Sequence, residues 1–195
     1  DAIRNEKPPW RYSVGVPTNA FTEYRYGAFN SLVISLESMR RGFKSPWWAT
    51  YKQWIWLQCK IKSRPDTVPE GQWATSLIQR EKEGFKNFAV FSGDQVFGID
   101  AAKWKNPFTS PFKLEYNQAV EDLLRAASGT LVREIGICYL ESELGIPHQN
   151  NFVEYRKYCD NWLQLIRNQP DYLIRAVKAA QDSVDHILGT TKRGD

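Results

Sequence analysis

The sequence predicts an α+β protein: an N-terminal helix pair with a small antiparallel sheet, followed by an all-helical C-terminal region. Three observations carry this. Apolar residues recur at spacings of three and four over 26–41 and again over 46–57. Two runs rich in strand formers flank a glycine-bearing turn between 73 and 92. Beyond residue 115 only the helical period remains. The 195 residues leave room for one sizeable domain or two small ones,. A first domain over 1–105 and a helical region over 115–189 are expected, with Pro107 and Pro111 marking the linker.

Taken in order, residues 1–21 read as extended, with Pro8, Pro9 and Pro17 and an alternation of Trp10, Tyr12, Val14 and Val16,. Phe29, Leu32, Val33, Leu36 and Met39 then fall on one helical face, and Gly42 ends that helix behind Arg40 and Arg41. Ser45-Pro46 reads as an N-cap and first helical position. It opens a second helix to about Cys59 with Trp47, Tyr51 and Trp54 on one face. Residues 60–71 are a loop by their Pro and Gly content. Trp73–Arg80 and Lys86–Ser92 form a hairpin around 81–84, and Gln95–Ile99 a third short strand. Glu115–Leu144 is helical with a break or bend at Gly129, and Gly145-Ile146-Pro147 stops it. Phe152–Ile166 and a helix opened by Pro170 and ended by Gly189 complete the chain.

The densest chemistry lies in Pro46–Trp56, where four tryptophans and a tyrosine share eleven residues with Lys52 and Gln53. Such rings carry a large apolar payload, so part of this helix packs into a core. Rings beside a cation are also the pattern that holds single-stranded nucleic acid by stacking and phosphate attraction. Charge supports that reading. Residues 1–64 hold eleven Lys/Arg against four Asp/Glu, while the remainder is slightly acidic and the chain nets +4. The positive excess therefore sits with the rings, as joint stacking and phosphate attraction require. Lys44, Lys52, Arg25, Arg40 and Lys62 are the expected phosphate contacts. Trp48, Tyr26, Tyr12 and Trp47 are the expected stacking rings. Asn19 and Gln53 either hydrogen-bond sugar or base edges or brace the helix against the preceding loop, and bracing is the favoured role.

Asn19, Tyr26-Gly27, Asn30 and Trp48-Ala49-Thr50-Tyr51-Lys52-Gln53 stand as they do in the N-terminal domain of the ArdC antirestriction family, which this chain resembles. The resemblance implies an N-terminal single-stranded-DNA-binding domain and a C-terminal zinc-peptidase-like domain. It covers about 10–60 and 85–100 closely, and 130–188 more loosely. The family's basic run before its strand is replaced here by Lys60, Lys62 and Arg64. Leu131–Ile146 resembles the helix that follows the family's H-E-x-x-H helix, with Gly129 and Thr130 where acidic residues usually stand.

The peptidase chemistry itself is missing. H-E-x-x-H places two histidines on one helical face beside a glutamate that activates water. Here His148 and His186 belong to different elements and neither lies in such a motif. Glu134, Glu141 and Glu143 are expected on an exposed acidic face, and Cys59 as a buried thiol. Three widely spaced cysteines fit reduced thiols,. With no long apolar run and no leader-like start, a cytoplasmic protein is expected. No catalytic residue, metal or cofactor is expected. The reading is a single-stranded-DNA-binding antirestriction-type protein of mobile DNA without peptidase activity. Its rival is a protein-interaction module that grips a restriction or replication enzyme through the same aromatic-basic surface. Neither reading involves a membrane.

Overall fold

The computed structural model describes residues 3, 8–11, 16–82, 84–99, 115–146 and 155–189. They form two compact units, residues 16–99 and residues 3, 8–11, 115–146 and 155–189. The N-terminal segment thus belongs with the helices, and the first domain begins later than position 1.

In the first unit, β1 (Thr18–Asn19) precedes α1 (Ala28–Arg41), β2 (Trp47–Ala49) and α2 (Tyr51–Trp56). Then come β3 (Lys60–Ile61), β4 (Thr75–Glu81), β5 (Gly84–Ser92) and β6 (Val96–Phe97), the last preceded by a 3₁₀ turn, Gly93–Gln95. One sheet has the order β1-β2-β5-β4 and a two-stranded sheet pairs β3 with β6. The parallel β1–β2 pair aligns Thr18 with Trp47 and Asn19 with Trp48. Antiparallel β2–β5 aligns Trp48 with Ser92 and Ala49 with Phe91. Two expectations change here. Lys60–Ile61 is strand, not loop, and the expected strand over 95–99 is a capped 3₁₀ turn followed by two paired residues.

Helix α1 ends as its sequence predicts. Gly42 takes φ 72°, and the Phe43 N–H reaches back to Ser38 O at 3.0 Å,. Its inward face is rotated from the expected one. Ser31, Ile34, Ser35 and Ser38 are buried with Leu32, while Leu36 is exposed. Small serines let the helix lie close to the sheet, and Ser31 Oγ donates to Tyr26 O at 2.8 Å, so burial leaves no orphan there,. Ile34 packs with Tyr26, Phe43, Trp48, Leu77 and Val90 on one sheet face. Asn30 supplies a further lock. Its amide accepts from Ile78 N–H at 3.1 Å and donates to Ile78 O at 2.7 Å, occupying the backbone of edge strand β4 as a neighbouring strand would,.

The second unit contains α3 (Tyr116–Ala126), α4 (Thr130–Leu144), α5 (Cys159–Asn168) and α6 (Tyr172–Leu188). Gly129 separates α3 from α4, as expected, at φ 90°. Gly136 faces Leu123, where an added Cβ would stand 3.0 Å from a methyl, so this glycine sets how closely α3 and α4 approach. Leu131, Ile135, Trp162, Val177, Ala180 and Val184 are buried. Trp162 Nε1 donates to Thr130 Oγ1 at 2.9 Å. Helix α6 opens at Tyr172, two residues after Pro170, and closes at Gly189.

The expected acidic face is not a face at all. Glu134, Glu141 and Glu143 are all buried. Arg11 grips both oxygens of Glu134, Nε to Oε1 at 2.5 Å and Nη2 to Oε2 at 3.0 Å, and Trp10 Nε1 donates to Oε1 at 3.4 Å. Tyr116 donates its hydroxyl to Glu141 at 3.0 Å. Burial, reinforced by the Glu134 charge, pushes the Cys138 thiol well up,. Burial of these carboxylates depends on residues far away in sequence, which helical periodicity does not register. Cys59, Cys138 and Cys159 are buried and unbridged. No helix among the described residues is long and apolar enough to cross a membrane.

Candidate nucleic-acid interface

The aromatic string is half strand and half helix. Trp47–Ala49 pairs into the sheet, and Thr50, not Ser45, caps the helix. Thr50 and Gln53 form a reciprocal box. Gln53 N–H donates to Thr50 Oγ1 at 3.4 Å, and Thr50 N–H donates to Gln53 Oε1 at 2.9 Å. Thr-x-x-Gln is a sequence signature of a helix start, so this boundary could have been found without coordinates. Shifting the start by five residues changes which side chains the helix presents. Trp54 goes inward, donating Nε1 to Phe91 O at 3.0 Å, and Tyr51, Lys52, Ile55 and Trp56 point out.

Asn19 and Gln53 take the bracing role. Asn19 Oδ1 accepts from the N–H groups of Phe21 and Thr22, both at 3.0 Å. Its Nδ2 reaches Tyr26 Oη at 3.2 Å and Gln53 Oε1 at 3.3 Å. The turn over 19–24 is thereby tied to the N-terminus of α2, with Glu23 held at φ 60°. Phe21 at that turn meets Trp56 with ring centroids 5.3 Å apart. Tyr24, Tyr51 and Ile55 are exposed as well.

The expected stacking rings divide accordingly. Trp48 is 0% exposed, edge-on to Phe43 at 5.8 Å, and is core, because its strand register points it beneath α1. Tyr26 is buried too, donating to Trp48 O at 3.1 Å, and burial raises its phenol well above the usual range. Neither ring is available to a base. Trp47 is half-buried against the cluster of Ala20, Ala49, Trp54, Cys59 and Val96. Tyr12 lies outside the described residues. On the 19–24 turn and α2 the rings that reach solvent are Phe21, Tyr24, Tyr51 and Trp56, the last 64% exposed. Helix period counted from Thr50 would have found Tyr51 and Trp56. Phe21 and Tyr24 sit in a turn, where no period applies.

The cations divide as well. Lys52 is exposed and makes no ion pair among the described residues. Arg40 is held by Glu37, Nη2 to Oε2 at 2.8 Å, and is a compromised phosphate contact. Lys62 Nζ donates to Asp94 O at 2.7 Å and lies 5.3 Å from the Phe97 ring centroid. Lys44 is exposed beside Asp94, whose carboxylate accepts from the Lys44 and Ser45 N–H groups at 2.5 and 2.8 Å. Arg25 is half-buried opposite Thr18 at the base of the turn. The arrangement can present ring faces and an exposed ammonium side by side, without a nucleophile or general base among them.

Comparison with known proteins agrees with this architecture. Residues 2–87 match the family model for the N-terminal domain of anti-restriction factor ArdC. The metal-free crystal structure of the antirestriction protein ArdC from plasmid R388 superposes with TM-score 0.68 at 16% identity, over 98% of this chain and 95% of that one. Its Mn(II)-bound form gives 0.66 at 19% identity, over 95% and 92%. No curated protein matches. With the Asn19–Gln53 brace and the strand-to-helix string inside the matched stretch, residues 2–87 resemble the N-terminal domain of ArdC, and the chain as a whole shares the fold of the ArdC protein.

Proposed function

We propose that the protein binds single-stranded DNA and acts as an antirestriction factor of mobile, plasmid-type DNA without peptidase activity. One observation carries the reading. A turn and a helix, locked together through Asn19 and Gln53, hold Phe21 and Trp56 in contact at the surface beside exposed Tyr51 and Lys52. Bases stack on such rings whatever their sequence, and the ammonium meets the phosphates between them. The excess of Lys/Arg over Asp/Glu between residues 16 and 64 supplies the attracting field,.

The ArdC protein of plasmid R388 has a Mn(II)-bound form, and the described residues of this chain offer no counterpart to a metal site. Among the described residues no three His, Cys, Asp or Glu side chains are placed to hold a metal ion. Both Glu134 oxygens are taken by Arg11, and Glu141 accepts from Tyr116. His186 lies exposed on α6, and His148 falls outside the described residues. The buried carboxylate at 134 is neutralised by a guanidinium, so it supports a structural role better than water activation.

Salt-titrated anisotropy with labelled single-stranded DNA, duplex DNA and RNA tests the reading. Tight, salt-sensitive binding of the single strand over the duplex is expected. Equal or absent binding to all three would leave the aromatic surface to a protein partner.

A further inference from the structure

The β4–β5 hairpin carries an open face that the Phe21–Trp56 patch does not use. Its register opposes Ser76 to Ala89, Ile78 to Asn87 and Arg80 to Phe85. Side chains alternate along a strand, so these six share one face. Thr75, Leu77, Phe88 and Val90 occupy the other face, which packs toward Ile34 of α1. No described residue of this unit covers the first face at its outer end. Phe85 is 72% exposed, and Ser76, Arg80, Asn87 and Ala89 are exposed with it.

The chemistry of that face selects its occupant. It holds one cation, two small polar groups and a phenyl ring, with no carboxylate among the six. Arg80 makes no ion pair among the described residues. Glu81 lies on the opposite face, 3.7 Å from Lys86. A peptide strand cannot simply add to β4, because Asn30 already takes the N–H and C=O of Ile78,. What remains is a ligand that docks on the face by stacking and offers negative charge to Arg80.

We infer that the exposed face of the β4–β5 hairpin is a second stacking station for single-stranded DNA, with Phe85 as its ring and Arg80 as its phosphate contact. The inference rests on the single-stranded-DNA reading above. It extends the bound strand along β5. Phe85 and Phe91 share the face six residues apart, about 20 Å at the rise of a strand. Phe91 O is where Trp54 anchors α2. A strand of a few nucleotides occupies one station, and a longer one reaches both.

The test uses the full chain with fluorescein-labelled dT5 and dT25, and the variants Phe85→Ala, Phe85→Tyr, Arg80→Ala and Trp56→Ala. Phe85→Ala is expected to weaken dT25 by about tenfold, within the range of one lost base stack, and to change dT5 less than twofold. Phe85→Tyr should restore dT25 binding. Arg80→Ala should reduce the log-affinity slope against log salt for dT25 by about 0.7. Normal dT25 binding by Phe85→Ala and Arg80→Ala, with loss in Trp56→Ala, overturns the second station and leaves the first intact. Equal losses on dT5 and dT25 in Phe85→Ala also overturn it. If the unaltered protein binds neither oligomer, both readings fall together.

Discussion

Two tryptophans eight residues apart show how position divides one residue type. Trp48 is sealed between the sheet and α1, and Trp56 faces solvent against Phe21. Trp48→Ala should therefore lower unfolding free energy by about 3–5 kcal/mol, read by urea denaturation, as truncation of a buried aromatic does. Trp56→Ala should leave the denaturation midpoint nearly unchanged and cost about 1–3 kcal/mol of single-strand binding. The reverse pattern would contradict the burial described here. Lys52 completes the residue-level picture. Removing its charge should weaken binding and flatten the salt slope by about 0.7, one phosphate on a single strand.

Helix α2 has six residues, far below the length at which an isolated helix persists in water,. Its cap and its inward tryptophan hold it. Thr50→Ala removes the acceptor for Gln53 N–H and should cost about 1 kcal/mol of stability,. The same change loosens Gln53, which also accepts from Asn19, so the 19–24 turn loses a tether. Single-strand affinity should fall along with stability, although Thr50 itself touches no ligand in this reading. Thermal melts and anisotropy on one preparation would show both effects. Unchanged affinity at reduced stability would mean that the turn holds Phe21 without help from α2.

At the scale of the molecule, the helical unit is closed by an ion pair that joins residues 123 positions apart. Glu134 is fully buried and the Arg11 side chain is 12% exposed, so removing the guanidinium strands a carboxylate. Arg11→Ala should cost about 3–5 kcal/mol, whereas replacing both partners with apolar residues should cost far less. Metal dependence offers a separate check. Since the buried charge is balanced by arginine, chelator should leave the melting temperature unchanged and elemental analysis should find no stoichiometric zinc or manganese. A chelator-sensitive melt would point to ligands outside the described residues.

Sequence alone determined the element inventory that rests on local rules. Gly42 and Gly189 end helices because the left-handed backbone they adopt suits glycine, and Gly129 separates two helices,. The β4–β5 hairpin follows from strand formers around a glycine turn, and Cys59 is buried as its setting suggested. The Thr50-x-x-Gln53 box is legible in the sequence too, beside the helical spacing of Trp47, Tyr51 and Trp54 that points to an earlier start,. Only the tertiary structure decided which rings face water. A strand of three residues has no readable period, yet its pairing with β5 sends Trp48 inward and restarts the helix at Thr50. Only the tertiary structure could bury Glu134, because the arginine that makes this tolerable lies at the far end of the chain. Local propensity depends on neighbours in sequence. Burial depends on neighbours in space, and at this site the two sets differ.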